Sequence, residues 1–138
     1  MLDLDALMNL VVSEFRNRRV VIPLPHDEVE RIRTTRNISD GDFFDLFARR
    51  VAHEYEAGRL VFEVADVAMN SLYGYVTNHY DVILPSYALE VFVAFDDGEH
   101  HHHDDPAGTD PEEKYTKPQI HSIVVRDRIL GTTGESAS

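Results

Sequence analysis

The sequence predicts an all-α domain, a single bundle of five or six helices with a long acidic, histidine-rich loop before the last element. Two observations point to helices. Apolar residues recur at a period near 3.6, as in Leu4, Leu7, Met8, Val11 and Phe15. Turn and stop residues such as Asn37 to Gly41, Gly58 and Gly98 divide these stripes into helix-sized pieces. A third observation points to the loop. The run Asp96 to Glu113, DDGEHHHHDDPAGTDPEE, holds eight carboxylates and four consecutive histidines without one lysine or arginine. No half-buried helix or strand has such a composition, so the run reads as a solvated segment.

The elements follow in order. The first stripe defines a helix over 3–19, with Asp3 and Asp5 near its start and Arg16, Arg18 and Arg19 near its end, as the helix dipole favours. Val20 to Pro25 contains two prolines and is forced extended, so it reads as a connector. A short helix over 26–35 is anchored by Val29 and Ile32. Ser39 is a suitable N-cap for a helix over 40–57 with the stripe Phe44, Phe47, Val51 and Tyr55, and Gly58 suits the residue after its end. A helix over 61–78 carries Phe62, Ala65, Met69, Leu72 and Val76, and its short link to the preceding helix implies antiparallel neighbours. Pro85 can open the next helix, with Ala88, Val91, Phe92 and Phe95 as its stripe. Thr116 and Pro118 suit the start of a last helix over 117–129. The alternative is an α+β domain with 89–95 and 120–125 as a strand pair, because short apolar runs fit either period. Residues 1–130 form one globular domain that includes an acidic loop over 96–116, and the small polar residues 131–138 suit a disordered tail.

Composition narrows the function classes. The chain has 138 residues, a net charge of -12 and no cysteine. Zinc–thiolate sites and thiol nucleophiles are excluded. Phosphate binding relies on a basic surface, so a nucleic-acid partner is not expected. No apolar run approaches a membrane span, and the start lacks the basic leader of a secretory signal, so a cytoplasmic location is expected. An acidic surface steers association with a basic one, so the expected partner is a basic protein. Immunity proteins and antitoxins that mask a positively charged toxin are the analogy suggested by size and charge.

Candidate site residues follow from the same patterns. Asp96, Asp97, Glu99, Asp104 and Asp105 supply loop charge for a basic partner. Tyr73 and Tyr75 fall on different helix faces, so at least one is expected to be exposed as an interface anchor, Tyr75 first; Tyr80 and Tyr87 lie nearby. His100, His101, His102 and His103 offer imidazoles that suit zinc or nickel, which is the alternative, metal-binding function. The competing view is a loop that binds metal only adventitiously, and no cofactor is expected. A second alternative is a small metal-dependent hydrolase. His26-Asp27 begins like a phosphohydrolase pair, and His53, His79 and Asp81 are further possible ligands, without a defined spacing. His53-Glu54 begins HExxH but Ala57 replaces the second histidine, leaving His53 and Glu56 as an ordinary helix-surface pair. No GxSxG, Walker loop or GxGxxG occurs, so a non-enzymatic protein is expected. The arginines Arg16, Arg18, Arg19, Arg31, Arg33 and Arg36 form a local basic patch for an anion or for the protein's own acidic loop, unless they only complement helix ends.

Overall fold

A computed structural model describes the backbone of residues 2–79 and 84–137 and the side chains of 3–79 and 84–130. The described residues form six α-helices: α1 Leu2–Arg18, α2 His26–Arg36, α3 Asp40–Glu56, α4 Phe62–His79, α5 Ser86–Asp96 and α6 Lys117–Ala137. A π-helical turn, Glu112–Thr116, leads into α6. No strand occurs among them, and 89–95 and 120–125 lie within α5 and α6. The strand-pair alternative is therefore wrong. Buried α-helical residues at 88, 91, 94 and 95, and at 120, 123 and 124, show the helical period deciding the matter.

Helix α3 is central and packs on α4, α5 and α6, while α1 rests on α4. The core is made by stripes on successive helices: Leu4, Leu7 and Val11; Val29 and Ile32; Phe43, Phe47 and Val51; Met69 and Leu72; Val91 and Phe95; Ile120 and Val124. Local signals fix the helix ends. The Ser39 side chain accepts a hydrogen bond from the Asp42 amide at 3.1 Å. Gly58 takes a φ of 81°, the left-handed conformation that turns the chain toward α4. Pro85 has no capping side chain, and Asp45 of α3 serves instead by accepting the Ala88 amide at 3.1 Å.

Charged residues cross-link the helices. Asp3 makes a two-pronged pair with Arg36, at 2.7 and 2.9 Å, and Asp5 does the same with Arg50, both at 3.0 Å. The Arg36 guanidinium holds the Asp3 carboxyl well below the usual carboxylate range. Arg31 pairs with Glu28, and Arg33 with Glu30 and Asp40. Much of the arginine patch thus serves internal pairing rather than a foreign anion.

The C-terminal helix α6 starts at Lys117, as its sequence suggests, but helical backbone already precedes it. Asp110 Oδ1 accepts the Glu112 amide at 3.0 Å and Pro111 opens the helix. Pro118 then sits inside it, where it lacks an amide and its ring crowds the carbonyl of residue 114. The π-turn just before it, closed by the Lys117 amide on the Glu112 carbonyl, accommodates that crowding without ending the helix. Thr116 is therefore no N-cap; it is buried, and its hydroxyl donates to the Ala94 carbonyl at 2.7 Å. Helix α6 continues to Ala137, past residue 130, where the sequence suggested a polar tail. No proline follows Pro118, and extending a helix costs far less than nucleating one.

Candidate functional site

The acidic stretch is shorter and better anchored than a free loop over 96–116. Residues 112–116 belong to the π-turn, and the remainder is clipped down by polar contacts. Gly98 is buried where a side chain would overlap Thr116 Oγ1 and lie 2.9 Å from Phe62 Cε1. Asp97 Oδ2 accepts from Gln119 Nε2 at 3.0 Å, and the Asp97 carbonyl accepts from His102 Nε2 at 2.7 Å. Asp105 has a side chain only 6 % exposed and accepts from Lys114 and from the Tyr115 hydroxyl, contacts that hold its carboxyl below the usual range. Backbone bonds at Asp105 and Thr109 add turns. Apolar burial is scarce here, as composition indicates; hydrogen bonds to α6 and the π-turn provide the order instead.

The four histidines diverge. His100 is 84 % exposed beside Glu99, His101 Nε2 donates to the Pro106 carbonyl at 3.0 Å, and His102 stacks on Tyr115 with centroids 4.0 Å apart. His103 is exposed. Among the described residues no group of three or more histidines, aspartates and glutamates is placed to hold a metal ion. Consecutive residues in a turn point in different directions, so a run of four need not make a site. His26 stacks on His79 with centroids 4.9 Å apart, whereas His53 Nε2 donates to Asp127 Oδ2 at 2.8 Å. The hydrolase candidates therefore take separate partners. Asp81 and Tyr80 lie outside the described residues.

The tyrosines divide. Tyr75 is fully buried, correcting its expected exposure; its hydroxyl shares a 2.8 Å hydrogen bond with His26 Nδ1. Helix α4 is covered on two sides, by α1 and by α3 and α5, so a residue off its main stripe is still interior. Tyr73 is the exposed one, at 41 %, and stacks on Phe92 with centroids 4.5 Å apart. Tyr87 hydrogen-bonds Asp127 and lies beneath the Arg49 guanidinium.

The remaining acidic candidates lead to a cleft. Asp96 and Asp104 are exposed, while Glu99 is turned toward α4, where Asn70 Nδ2 donates to its Oε2 at 3.0 Å. There it borders a cleft of about 400 Å³ whose apolar walls are Phe15, Val21, Phe62 and Val67. Its polar lining is Glu63, Asp66, Asn70, Glu99 and His100. Phe62 separates this cleft from a second, of about 580 Å³, that includes Leu60, Val61 and Glu112. Val61, at the start of α4, is 67 % exposed.

Asp66 is the distinctive group. Burial, hydrogen bonding to Glu99, and the charges of Glu99 and Asp96 push its carboxyl up to about 8. A carboxyl beside apolar walls with like charges nearby is costly to ionise. Asp96 is raised as well, by burial and then by Glu99 and Asp97. This corner was hidden in the sequence. Phe15 and Phe62 fall on apolar stripes that suggest full burial, yet both are only half-buried. The available signal was the run of polar residues Glu63, Asp66 and Asn70 at helical spacing along one side of α4. Comparison with known protein families, with curated proteins and with solved structures gave no match.

Proposed function

We propose that this chain binds a basic protein partner without catalysing a reaction, and that the cleft between α1, α4 and the start of the acidic segment receives it. One observation carries this: the cleft joins apolar walls to three carboxyl groups, Glu63, Asp66 and Glu99, and none of the described residues that line it is a lysine or arginine. Its chemistry complements a lysine or arginine flanked by an apolar residue, whose stem lies along Phe15 and Phe62 while the cation meets the acids. The exposed Val61 extends the apolar contact across Phe62. The chain's net charge of -12 adds a long-range field that speeds encounter. In function the protein would then mask a positive surface, as immunity proteins and antitoxins do.

Titration with short basic amphipathic peptides, followed by amide chemical shifts, tests the proposal. Expected are shifts at Phe62, Val67, Asn70 and Glu99, and affinity at least tenfold weaker in Glu63→Gln/Glu99→Gln. Charge-reversed peptides should not bind, and affinity should fall with added salt. Shifts confined to 100–110, or binding indifferent to salt and to these substitutions, would overturn it. No helix among the described residues is long and apolar enough to cross a membrane.

A further inference from the structure

We propose that the outer face of α6 is a contact between two copies of this chain, which pair antiparallel about a two-fold axis near Val125 and Arg126. The contact is separate from the cleft. Helix α6 turns Ile120, Ile123 and Val124 into the core, and Asp127 inward to His53 and Tyr87. Its opposite side carries Val125, Ile129 and Leu130, the last two 63 % and 60 % exposed. With His121, Ser122 and Arg126 they line a shallow groove of about 380 Å³. Single exposed apolar residues are ordinary, whereas a contiguous group on one helix face marks a contact surface.

The pattern along this face matches itself when reversed. Antiparallel pairing about that axis sets Ser122 against Ile129 of the second copy, and Ile129 against its Ser122. A small residue thus faces a large one twice, with Val125 beside the axis. The charges match as well. Arg126 pairs at 2.7 Å with Glu90 on the α5 edge of the groove, and His121 at 2.6 Å with Glu56 on the α3 edge. The two-fold axis brings like edges together. Each Arg126 therefore also comes beside the second copy's Glu90, and Arg128, on the His121 edge, beside its Glu56.

The acidic character of the chain selects the direction of pairing. Residues 117–130 hold Lys117, Arg126 and Arg128 against one acid, the inward Asp127, so this face lacks the acid excess of the rest. Antiparallel pairing also sends the two acidic segments before α6 to opposite ends of the contact. The two helix starts then lie about 25 Å apart along the axis, at 1.5 Å per residue. That exceeds the ~10 Å over which charges interact at 0.1 M salt. Parallel pairing would lay the segments side by side. Helix α6 has 21 residues. A helix face of that length, about 30 Å, reaches only the small end of specific interfaces. The dimer should be weak, with a Kd on the order of 10 µM.

The experiment is sedimentation equilibrium of the full chain from about 1 to 300 µM, a range that brackets that affinity. The expected result is the 15.8 kDa chain at the low end and twice that mass at the high end. Ile129→Glu enters the contact twice, so a tenfold loss at each site should weaken the dimer about a hundredfold. Ile129 is exposed, and the variant should fold normally. The chain has no cysteine, which allows a second test. Val125→Cys should form a disulfide-linked dimer on oxidation. Ile129→Cys should not, because its two copies lie about 10 Å apart along the axis, beyond disulfide reach. A monomer at every concentration would overturn the proposal, as would a dimer indifferent to Ile129→Glu. Cross-linking through Ile129→Cys in place of Val125→Cys would overturn the antiparallel arrangement. Shifts of α6 amides when basic peptides are added to a monomeric chain would assign this face to a foreign partner instead.

Discussion

Replacing Gly98 with alanine tests how the acidic segment is fastened to the bundle. The glycine has no left-handed backbone to protect, so the effect is steric. A Cβ at this position overlaps the Thr116 hydroxyl and reaches within 2.9 Å of the Phe62 ring and 3.3 Å of Thr116 Cβ. Threonine cannot swing away freely, because its hydroxyl donates to the Ala94 carbonyl at 2.7 Å inside the protein. Phe62 is held too, tilted against Phe95 with centroids 6.0 Å apart. Overpacking costs about 1–3 kcal/mol. A buried hydrogen bond broken without replacement adds about 1–3 kcal/mol. Alanine returns about 0.4–1 kcal/mol by restricting the unfolded chain. The costs win, and the net loss should be about 2–4 kcal/mol.

Urea unfolding measures this as a lower midpoint at unchanged slope. Thr116→Ala removes the main obstacle, so Gly98→Ala should cost about 1–2 kcal/mol less in that background. A loss below about 1 kcal/mol, or the same loss in both backgrounds, would refute the argument that Thr116 and Phe62 clamp this glycine. Because Glu99 is the next residue, the substitution should also disturb the cleft.

Other expectations follow from the same structure. Phe47 is fully buried in α3, and Phe47→Ala should destabilise by about 3–5 kcal/mol in urea unfolding; a loss under 1 kcal/mol would contradict its place in the core. Tyr75→Phe should cost about 0.5–1.5 kcal/mol through the lost bond to His26, with peptide affinity at the cleft unchanged; a large change in affinity would return Tyr75 to the interface. Asp66 gives a pH signature. Its folded value is raised, so the native state holds the proton over roughly pH 4 to 8 while the unfolded chain has released it, and stability drains away as pH rises through that window. Asp66→Asn should therefore match the native chain near pH 4 and exceed it above pH 8, by an amount on the order of 1–3 kcal/mol after allowance for solvent screening. A pH-independent difference in unfolding free energy would refute the raised value.

The helices were legible in the amino-acid pattern. Periodic stripes at Phe44, Phe47 and Val51, and at Ala65, Met69 and Leu72, have one satisfactory burial solution, and all six are interior. Local caps were equally legible at Ser39 and Gly58, because each depends on its own few neighbours. Features that rest on contacts between distant residues were not legible there. Tyr75 is buried because several helices cover α4, and Thr116 became a buried clip because Gly98 lies beneath it. Pro118 read as a helix start because a proline's local effect is visible, whereas the π-turn that lets the helix run through it is not. The acidic run showed its charge in the sequence but not its direction. Only folding brings Glu99 to Asp66 and Asn70, thirty-three and twenty-nine residues away, and only there is the Asp66 carboxyl pushed above its ordinary range. Periodicity is local and survives in one dimension; desolvation and charge proximity are properties of three.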